Sequence, residues 1–240
     1  MHRLKDWIGV ELDEVTIWEK LVSTAGGFTA ILLIVAVSRH ALHLGGSSML
    51  IASMGASAVL LFAVPHGQLS QPWPVLAGHG ISALVGVTCA RLIGDVPLAA
   101  ALSVAGAIGL MHQFKCIHPP GGATALTAVI GGPGVTSLGY GFVWCPVLLN
   151  SLLIVGVAVA FNFLFKWRRY PAYFNRSHQV VATIPEVPHE SVVAALRSLD
   201  SFVDITEDDL KRVYHIMAEH QRSAAVPETP VRAAASAPSS

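Results

Sequence analysis

The chain has 240 residues, a formal net charge of zero and only 12% charged residues. Soluble domains carry about 25% charged residues, whereas 53% of this chain is hydrophobic and its mean hydropathy is +0.58. This composition disfavours a soluble enzyme and excludes disorder for most of the chain. A pI near 7.2 gives no support for a nucleic-acid partner, which usually requires a basic surface. We therefore expect a polytopic protein of the lipid bilayer.

Six apolar runs follow one another along the chain and are the predicted membrane segments. Five of them approach the length of a membrane helix, which needs about 20 mostly apolar residues, but the fifth has only about 12. That length favours a re-entrant segment or a half helix, and the second run is open to the same interpretation. The sequence thus predicts an all-α polytopic protein with four to six transmembrane segments. The runs cover residues 21–38, 47–64, 73–90, 97–111, 119–130 and 142–165.

Charged residues are distributed unevenly, and their positions predict the orientation in the membrane. Asp95 is the one acidic residue between positions 21 and 185, whereas seven Lys or Arg residues lie in that stretch. Lys20 precedes the first run, and Lys166, Arg168 and Arg169 follow the last. Because positive residues favour the cytoplasmic side, both termini are predicted to be cytoplasmic, in a bacterial inner membrane.

The composition divides the chain into four parts. A polar N-terminal segment covers 1–20, the transmembrane domain 21–166, a cytoplasmic helical tail 167–222 and a disordered C-terminus 223–240. Two short helices are expected in the tail, at 190–202 and 206–220, and Thr206 caps the second. The tail either solubilises the protein or docks on a partner.

The chain also repeats itself loosely. Gly-Ala-Ser-Ala at 55–58 matches Gly-Ala-Thr-Ala at 122–125, and Pro-Val-Leu occurs at both 74–76 and 146–148. Segments one to three would then be repeated as segments four to six, although chance matches also arise in membrane sequences rich in Ala and Gly. Internal repeats with short helices in matching positions point to the substrate site of a transporter.

The most distinctive stretch is Cys-Ile-His-Pro-Pro-Gly-Gly-Ala-Thr-Ala-Leu at 116–126. It resembles the signature of the HPP family of integral membrane proteins, which is named for its His-Pro-Pro motif. The resemblance extends over roughly residues 18–165 and leaves out the tail. It implies a multi-pass protein, often described with four spanning helices, and a transport role. Plastid and cyanobacterial relatives are linked to nitrite transport.

The residue types of this motif suggest a binding site for a small solute. Two prolines after His118 end one segment and start another, and the unpaired amides of the next three residues would attract an anion. Lys115 and His118 could add positive charge, and Ser57 could form the opposite wall. The alternatives are helix packing by small residues without a ligand, a hydrogen-bonded loop histidine, and a lysine that only reaches the headgroups. His79 and Asn150 could line a pathway or bond between helices. The predicted substrate-binding set is Gly55, Ala56, Ser57, His79, Lys115, His118, Pro119, Pro120, Gly121, Gly122, Ala123, Thr124 and Asn150.

The leading functional hypothesis is a transporter or channel for a small anion, with a nitrite-like oxyanion as the first candidate, or for a neutral solute. Cation-coupled carriers usually keep carboxylates inside the membrane, and only Asp95 is available here. No residue set resembles that of an enzyme, and the three scattered cysteines suggest neither a metal site nor a disulfide, so no cofactor is expected. The alternative is a membrane sensor or scaffold that signals through its tail. A homo-oligomer is compatible with either hypothesis.

Overall fold

The computed structural model describes residues 15–40 and 47–175, together with Glu190, Leu210, Lys211, Val213, Tyr214 and Met217. Within this part of the chain every regular element is helical, and no strand is present. The fold is carried by α1 (Ile17–His40), α2 (Ser47–Ala63), α3 (Pro72–Leu92), α4 (Val96–Gln113), α5 (Pro120–Ile130) and α6 (Leu149–Phe163). Shorter helical turns occupy Gln68–Ser70, Pro133–Thr136, Val143–Leu148, Lys166–Arg168 and Ala172–Asn175.

Four stretches are long and apolar enough to cross a membrane. Their bounds are Ile17–Ser38, Pro72–Leu92, Val96–Gln113 and Val143–Phe163. Many of their large apolar side chains are exposed, as lipid-facing residues should be; examples are Phe28, Leu84, Leu102 and Leu152. The chain is therefore an all-α polytopic membrane protein, as the sequence predicts. The helices α2 and α5, with 17 and 11 residues, are the short ones, also as predicted.

Contacts between distant residues fix the direction of each segment. Arg168, after α6, pairs with Glu19 in the first turn of α1. Tyr170 donates its hydroxyl to the Ser70 carbonyl, just before α3, at 2.8 Å. We call this the near end of the bundle. At the far end, Arg91 at the close of α3 lies 5.1 Å from the centre of the Tyr140 ring. The first and last described segments thus meet at the near end, which requires an even number of crossings.

The fifth segment crosses the bundle without forming a full helix. At the near end, Trp73 Nε1 donates to the Phe114 carbonyl at 3.2 Å, whereas Tyr140 lies at the far end. A non-helical stretch through His118 connects Phe114 to α5, whose 11 residues span about 16 Å. The half helix predicted from the sequence is present. The chain continues to the far end, which favours the half helix over the re-entrant alternative.

The packing partners follow the pattern that a repeat of three segments predicts. Helix α1 packs on α2, and the equivalent pair α4 and α5 is also in contact. Helix α1 contacts α6, and the equivalent pair α4 and α3 is likewise in contact. The third equivalent pair of contacts joins α2 to α6 and α5 to α3. The two short helices, α2 and α5, also contact each other. Because each unit has three crossings, α1 and α4 run in opposite directions. The two predicted units therefore have opposite orientations, which is the arrangement expected of an inverted repeat.

Small residues bring α3 and α5 unusually close together. A Cβ at Gly86 would lie 2.5 Å from the Ala125 carbonyl oxygen and 2.7 Å from the Ala128 Cβ. A Cβ at Gly121 would lie 2.7 Å from Ser82 Oγ and 3.0 Å from the Gly78 carbonyl oxygen. Such small-residue contacts let membrane helices approach without a hydrophobic driving force.

The single apolar run at 142–165 predicted one continuous helix for the sixth segment. The structure shows that this helix is interrupted. Cys145 has the extended backbone angles φ −133° and ψ 117°, and Pro146 follows it. Since proline lacks an amide hydrogen and clashes with the preceding turn, regular helix resumes only after this point. The Pro-Val-Leu match with 74–76 therefore falls, in both units, near the start of the regular third helix.

The near end is held by a buried arginine. Arg168 is 1% exposed. It pairs with the Glu19 carboxylate, donates to Ser23 Oγ at 2.9 Å and to the Phe62 carbonyl at 2.5 Å, and bonds Asn162 Oδ1 at 3.3 Å. Burial lowers the pKa of its guanidinium, and the Glu19 carboxylate raises it. Arg168 thus connects the end of α6 to the start of α1 and to the end of α2.

The compact membrane unit extends through Arg176, beyond the boundary predicted at 166, because Arg168 and Tyr170 are buried within it. Residues 177–240 form a separate unit. The two tail helices predicted at 190–202 and 206–220 lie outside the described residues, apart from isolated helical positions. The segments 1–14 and 223–240 also lie outside the described residues.

Candidate functional site

Four polar side chains meet where the two inverted units contact each other. Ser57 on α2, His79 on α3, His118 before α5 and Thr124 on α5 are each at most 1% exposed. All four belong to the predicted site. Ser57 and Thr124 occupy matching positions in the repeated Gly-Ala-Ser/Thr-Ala sequence, and the ring of His79 lies between their hydroxyls. We refer to these four residues as the polar cluster.

The polar cluster is a continuous chain of short hydrogen bonds. Ser57 Oγ lies 2.8 Å from His79 Nε2 and 2.8 Å from His118 Nε2. His79 Nδ1 lies 2.7 Å from Thr124 Oγ1. At the other end, His118 Nδ1 lies 2.9 Å from the Leu69 carbonyl oxygen. The two imidazole rings are in edge contact, with centroids 4.9 Å apart.

The Leu69 carbonyl fixes the tautomer of neutral His118. A carbonyl oxygen only accepts, so the hydrogen of neutral His118 is on Nδ1, and its Nε2 can accept from Ser57. When the Ser57 hydroxyl donates to His118 and not to the Ser53 carbonyl 3.2 Å away, the Ser57 oxygen can accept from His79 Nε2. His79 Nδ1 is then an acceptor for the Thr124 hydroxyl. In this arrangement the two neutral histidines are opposite tautomers.

The remaining residues of the predicted set do not join the polar cluster. Lys115 is exposed and has φ +52°. Asn150 is buried and accepts a hydrogen bond from Ser38 on α1 at 3.4 Å, so it bonds between helices. Pro120 contributes its carbonyl, 3.4 Å from Thr124 Oγ1. The residues whose side chains point away from the cluster to the exposed surface are Ala56, Pro119 and Ala123.

Two of the three backbone amides that were predicted to attract an anion at the start of α5 are already paired. Gly121 N donates to the His118 carbonyl at 2.8 Å, and Gly122 N donates to the Pro119 carbonyl at 3.0 Å. The tight turn after the two prolines therefore uses these donors itself. Gly121 is the glycine in close contact, whereas a Cβ at Gly122 would meet only Val104 Cγ1, at 4.0 Å.

Gly55 also has a different environment from the one predicted. It lines an open, largely apolar groove of about 370 Å³ between α1 and α2, together with Gly27, Phe28 and Val59. None of the four cluster residues lines this groove. Gly55 therefore does not form a wall of the polar cluster.

Two features of the site were missed from the sequence. The Leu69 carbonyl belongs to a loop, and no sequence pattern predicts its contact with His118. The second feature is a row of small residues on α3 that recur every four residues and face α5, namely Gly78, Ser82 and Gly86. This spacing of small residues is a known signal of close helix packing and could have been recognised. Within residues 15–40 and 47–175, no three His, Cys, Asp or Glu side chains group together in a way that could hold a metal ion.

These features define an integral membrane protein of several apolar helices, with a polar cluster enclosed between two short helices. The family model described as HPP, transmembrane region, matches residues 13–171, and the chain belongs to the HPP family. It is similar to two transmembrane proteins of Dictyostelium discoideum. The first is 35% identical over 184 residues, covering 71% of this chain and 62% of the relative. The second is 38% identical over 129 residues, covering 52% and 41%.

The chain thus spans less than two thirds of the length of these curated relatives. No solved structure matches it.

Proposed function

We propose that this protein transports a small anion across the membrane, with a nitrite-like oxyanion as the first candidate substrate. The observation that carries the proposal is the polar cluster, which joins matching short helices of two inverted units. Polar side chains buried at membrane depth are costly and usually serve a pathway or a partner. Transporters built from inverted repeats bind their substrate at the interface of the repeats, at short or interrupted helices.

The charges of the described region favour an anion over a cation. Within residues 15–40 and 47–175 the only two carboxylates are Glu19 and Asp95. Glu19 pairs with Arg168 at the near end, and Asp95 caps α4 by accepting from Leu98 N at 2.8 Å. Neither reaches the polar cluster, so a metal cation would find no carboxylate there. To receive a hydrogen bond from these imidazoles or hydroxyls, an oxyanion has to replace one of the acceptors that they now use within the cluster.

The orientation we propose places both termini in the cytoplasm. Arg168 is paired with Glu19 and contributes little to the charge of the near end. Lys20 and Lys166 are exposed there, and Arg169 is half-buried over the Phe163 ring. Positive residues flanking membrane segments favour the cytoplasmic side, which makes the near end the cytoplasmic one.

Uptake of nitrite, nitrate, formate and chloride into proteoliposomes, with and without a pH gradient, tests the proposal. We expect saturable uptake of one or more oxyanions above that of protein-free liposomes. His118→Asn should reduce that uptake at least tenfold, whereas His112→Asn should leave it unchanged because His112 is exposed at the end of α4. Uptake equal to that of empty liposomes for every anion, or equal effects of the two substitutions, would refute it.

A further inference from the structure

Each hydroxyl of the polar cluster has two acceptors within reach. Ser57 Oγ lies 2.8 Å from His118 Nε2 and 3.2 Å from the Ser53 carbonyl oxygen. Thr124 Oγ1 lies 2.7 Å from His79 Nδ1 and 3.4 Å from the Pro120 carbonyl oxygen. In each case the second acceptor is the carbonyl one helical turn earlier. Each hydroxyl can therefore change partner by rotation about its Cβ–O bond, without movement of any heavier atom.

We propose that the polar cluster binds one proton, that this proton is cotransported with the anion, and that the two hydroxyls act as the switches that accommodate it. The inference rests on the proposed function and names its coupling ion. It follows from the geometry of the hydrogen-bond chain, in which each hydroxyl has a ring nitrogen and a carbonyl oxygen within reach.

The added proton is accounted for at either imidazole. When it binds His79 Nδ1, the Thr124 hydroxyl turns its hydrogen to the Pro120 carbonyl, and its oxygen then accepts from the new N–H. When it binds His118 Nε2, the Ser57 hydroxyl turns to the Ser53 carbonyl. The Ser57 oxygen then accepts from both imidazoles. In both states every polar hydrogen of the cluster has an acceptor, so the imidazolium is not left unpaired.

The surroundings limit the cluster to one proton. Two imidazolium rings with centroids 4.9 Å apart would repel each other strongly in a medium of low dielectric constant. The other titratable groups of the segment that carries His118 and of α4 are the buried thiol of Cys116 and the exposed side chains of Lys115 and His112. Neither carboxylate of residues 15–40 and 47–175 reaches the cluster. An anion bound beside the imidazolium would supply the missing negative charge, which favours a ratio of one proton to one anion.

Nitrogen NMR of the full-length protein, labelled with ¹⁵N-histidine and held in lipid nanodiscs, tests the proton site without any transport. At alkaline pH we expect opposite tautomers, with hydrogen on Nδ1 of His118 and on Nε2 of His79. Acidification should add one proton to the pair formed by His79 and His118. The NMR signals of the two rings are assigned from the spectra of the His79→Asn and His118→Asn variants. Identical tautomers, no protonation down to the acid limit of folding, or full protonation of both rings would overturn the proposal.

Thr124 offers a matched pair of variants for the switch. Thr124→Val removes the oxygen that accepts from the charged His79. The proton affinity of His79 should therefore fall about tenfold, which lowers the midpoint of its titration by about one pH unit. Thr124→Ser keeps the oxygen and should titrate like the wild type. Equal midpoints for all three proteins would contradict the role given to Thr124. If the protein moved no anion, the proposed function would fail, whereas these spectra would still decide whether the proton site exists.

Discussion

The close approach of α3 and α5 gives a sharp test of the fold at the site. Gly121→Ala would place a methyl group 2.7 Å from Ser82 Oγ and 3.0 Å from the backbone oxygen of Gly78. The backbone of α3 cannot turn aside as a flexible side chain can, so α5 has to move away from it. Thr124 is carried on the same helix, and its contact with His79 should lengthen as well.

The expected cost is that of overpacking, about 1–3 kcal/mol. Gly122→Ala is the matched control, because its new methyl group would meet only Val104 Cγ1 at 4.0 Å. Replacing a helical glycine by alanine otherwise stabilises a helix by up to about 1 kcal/mol, less in the first turn. The adjacent substitutions should therefore have effects of opposite sign or, at the least, differ by about 2 kcal/mol.

Thermal unfolding in a mild detergent measures this difference. At about 2–4 °C per kcal/mol for a chain of this size, Gly121→Ala should melt several degrees below Gly122→Ala. It should also reduce anion uptake, whereas Gly122→Ala should not. Equal melting temperatures, or a lower one for Gly122→Ala, would refute the packing of α5 against α3 described above.

Three further predictions concern the near end and the tail. Arg168→Gln leaves Glu19 without its cation and should destabilise the protein by about 3 kcal/mol, whereas the exposed Lys166→Gln should change stability by less than about 0.5 kcal/mol; equal thermal shifts would contradict this. Truncation after Arg176 should preserve anion uptake, and loss of uptake in the folded, truncated protein would contradict transport by the membrane unit alone. A periplasmic reporter fused after Arg176 should be inactive in bacterial cells, and activity would reverse the proposed orientation.

Much of the fold follows from the sequence because membrane helices are constrained by length and hydropathy alone. The first five apolar runs correspond to the helices α1–α5, whereas the sixth is interrupted at Cys145 and Pro146 before α6 begins. The repeated Gly-Ala-Ser/Thr-Ala sequence predicted that Ser57 and Thr124 hold equivalent positions, and they contact the same ring of His79. A repeat detected in sequence carries spatial information because equivalent helices occupy equivalent places.

The details of the site depended on contacts that no local pattern encodes. The sequence assigned the anion-binding role to the amides after His118, yet the turn closes on itself and uses two of them. The helix phase places Gly121, and not Gly122, against α3. Asn162 precedes a basic stretch, yet it is buried because Arg168 folds back onto it.

Nitrite uptake driven by a pH gradient tests the central claim most directly. Wild type and His79→Gln are reconstituted at equal protein content, and initial rates are compared with the outside acidic and with no gradient. We predict that acid outside accelerates nitrite uptake by the wild type above that of protein-free liposomes, and that His79→Gln abolishes the acceleration. Equal acceleration in both proteins, or none above protein-free liposomes, would contradict a polar cluster that carries the anion and its proton.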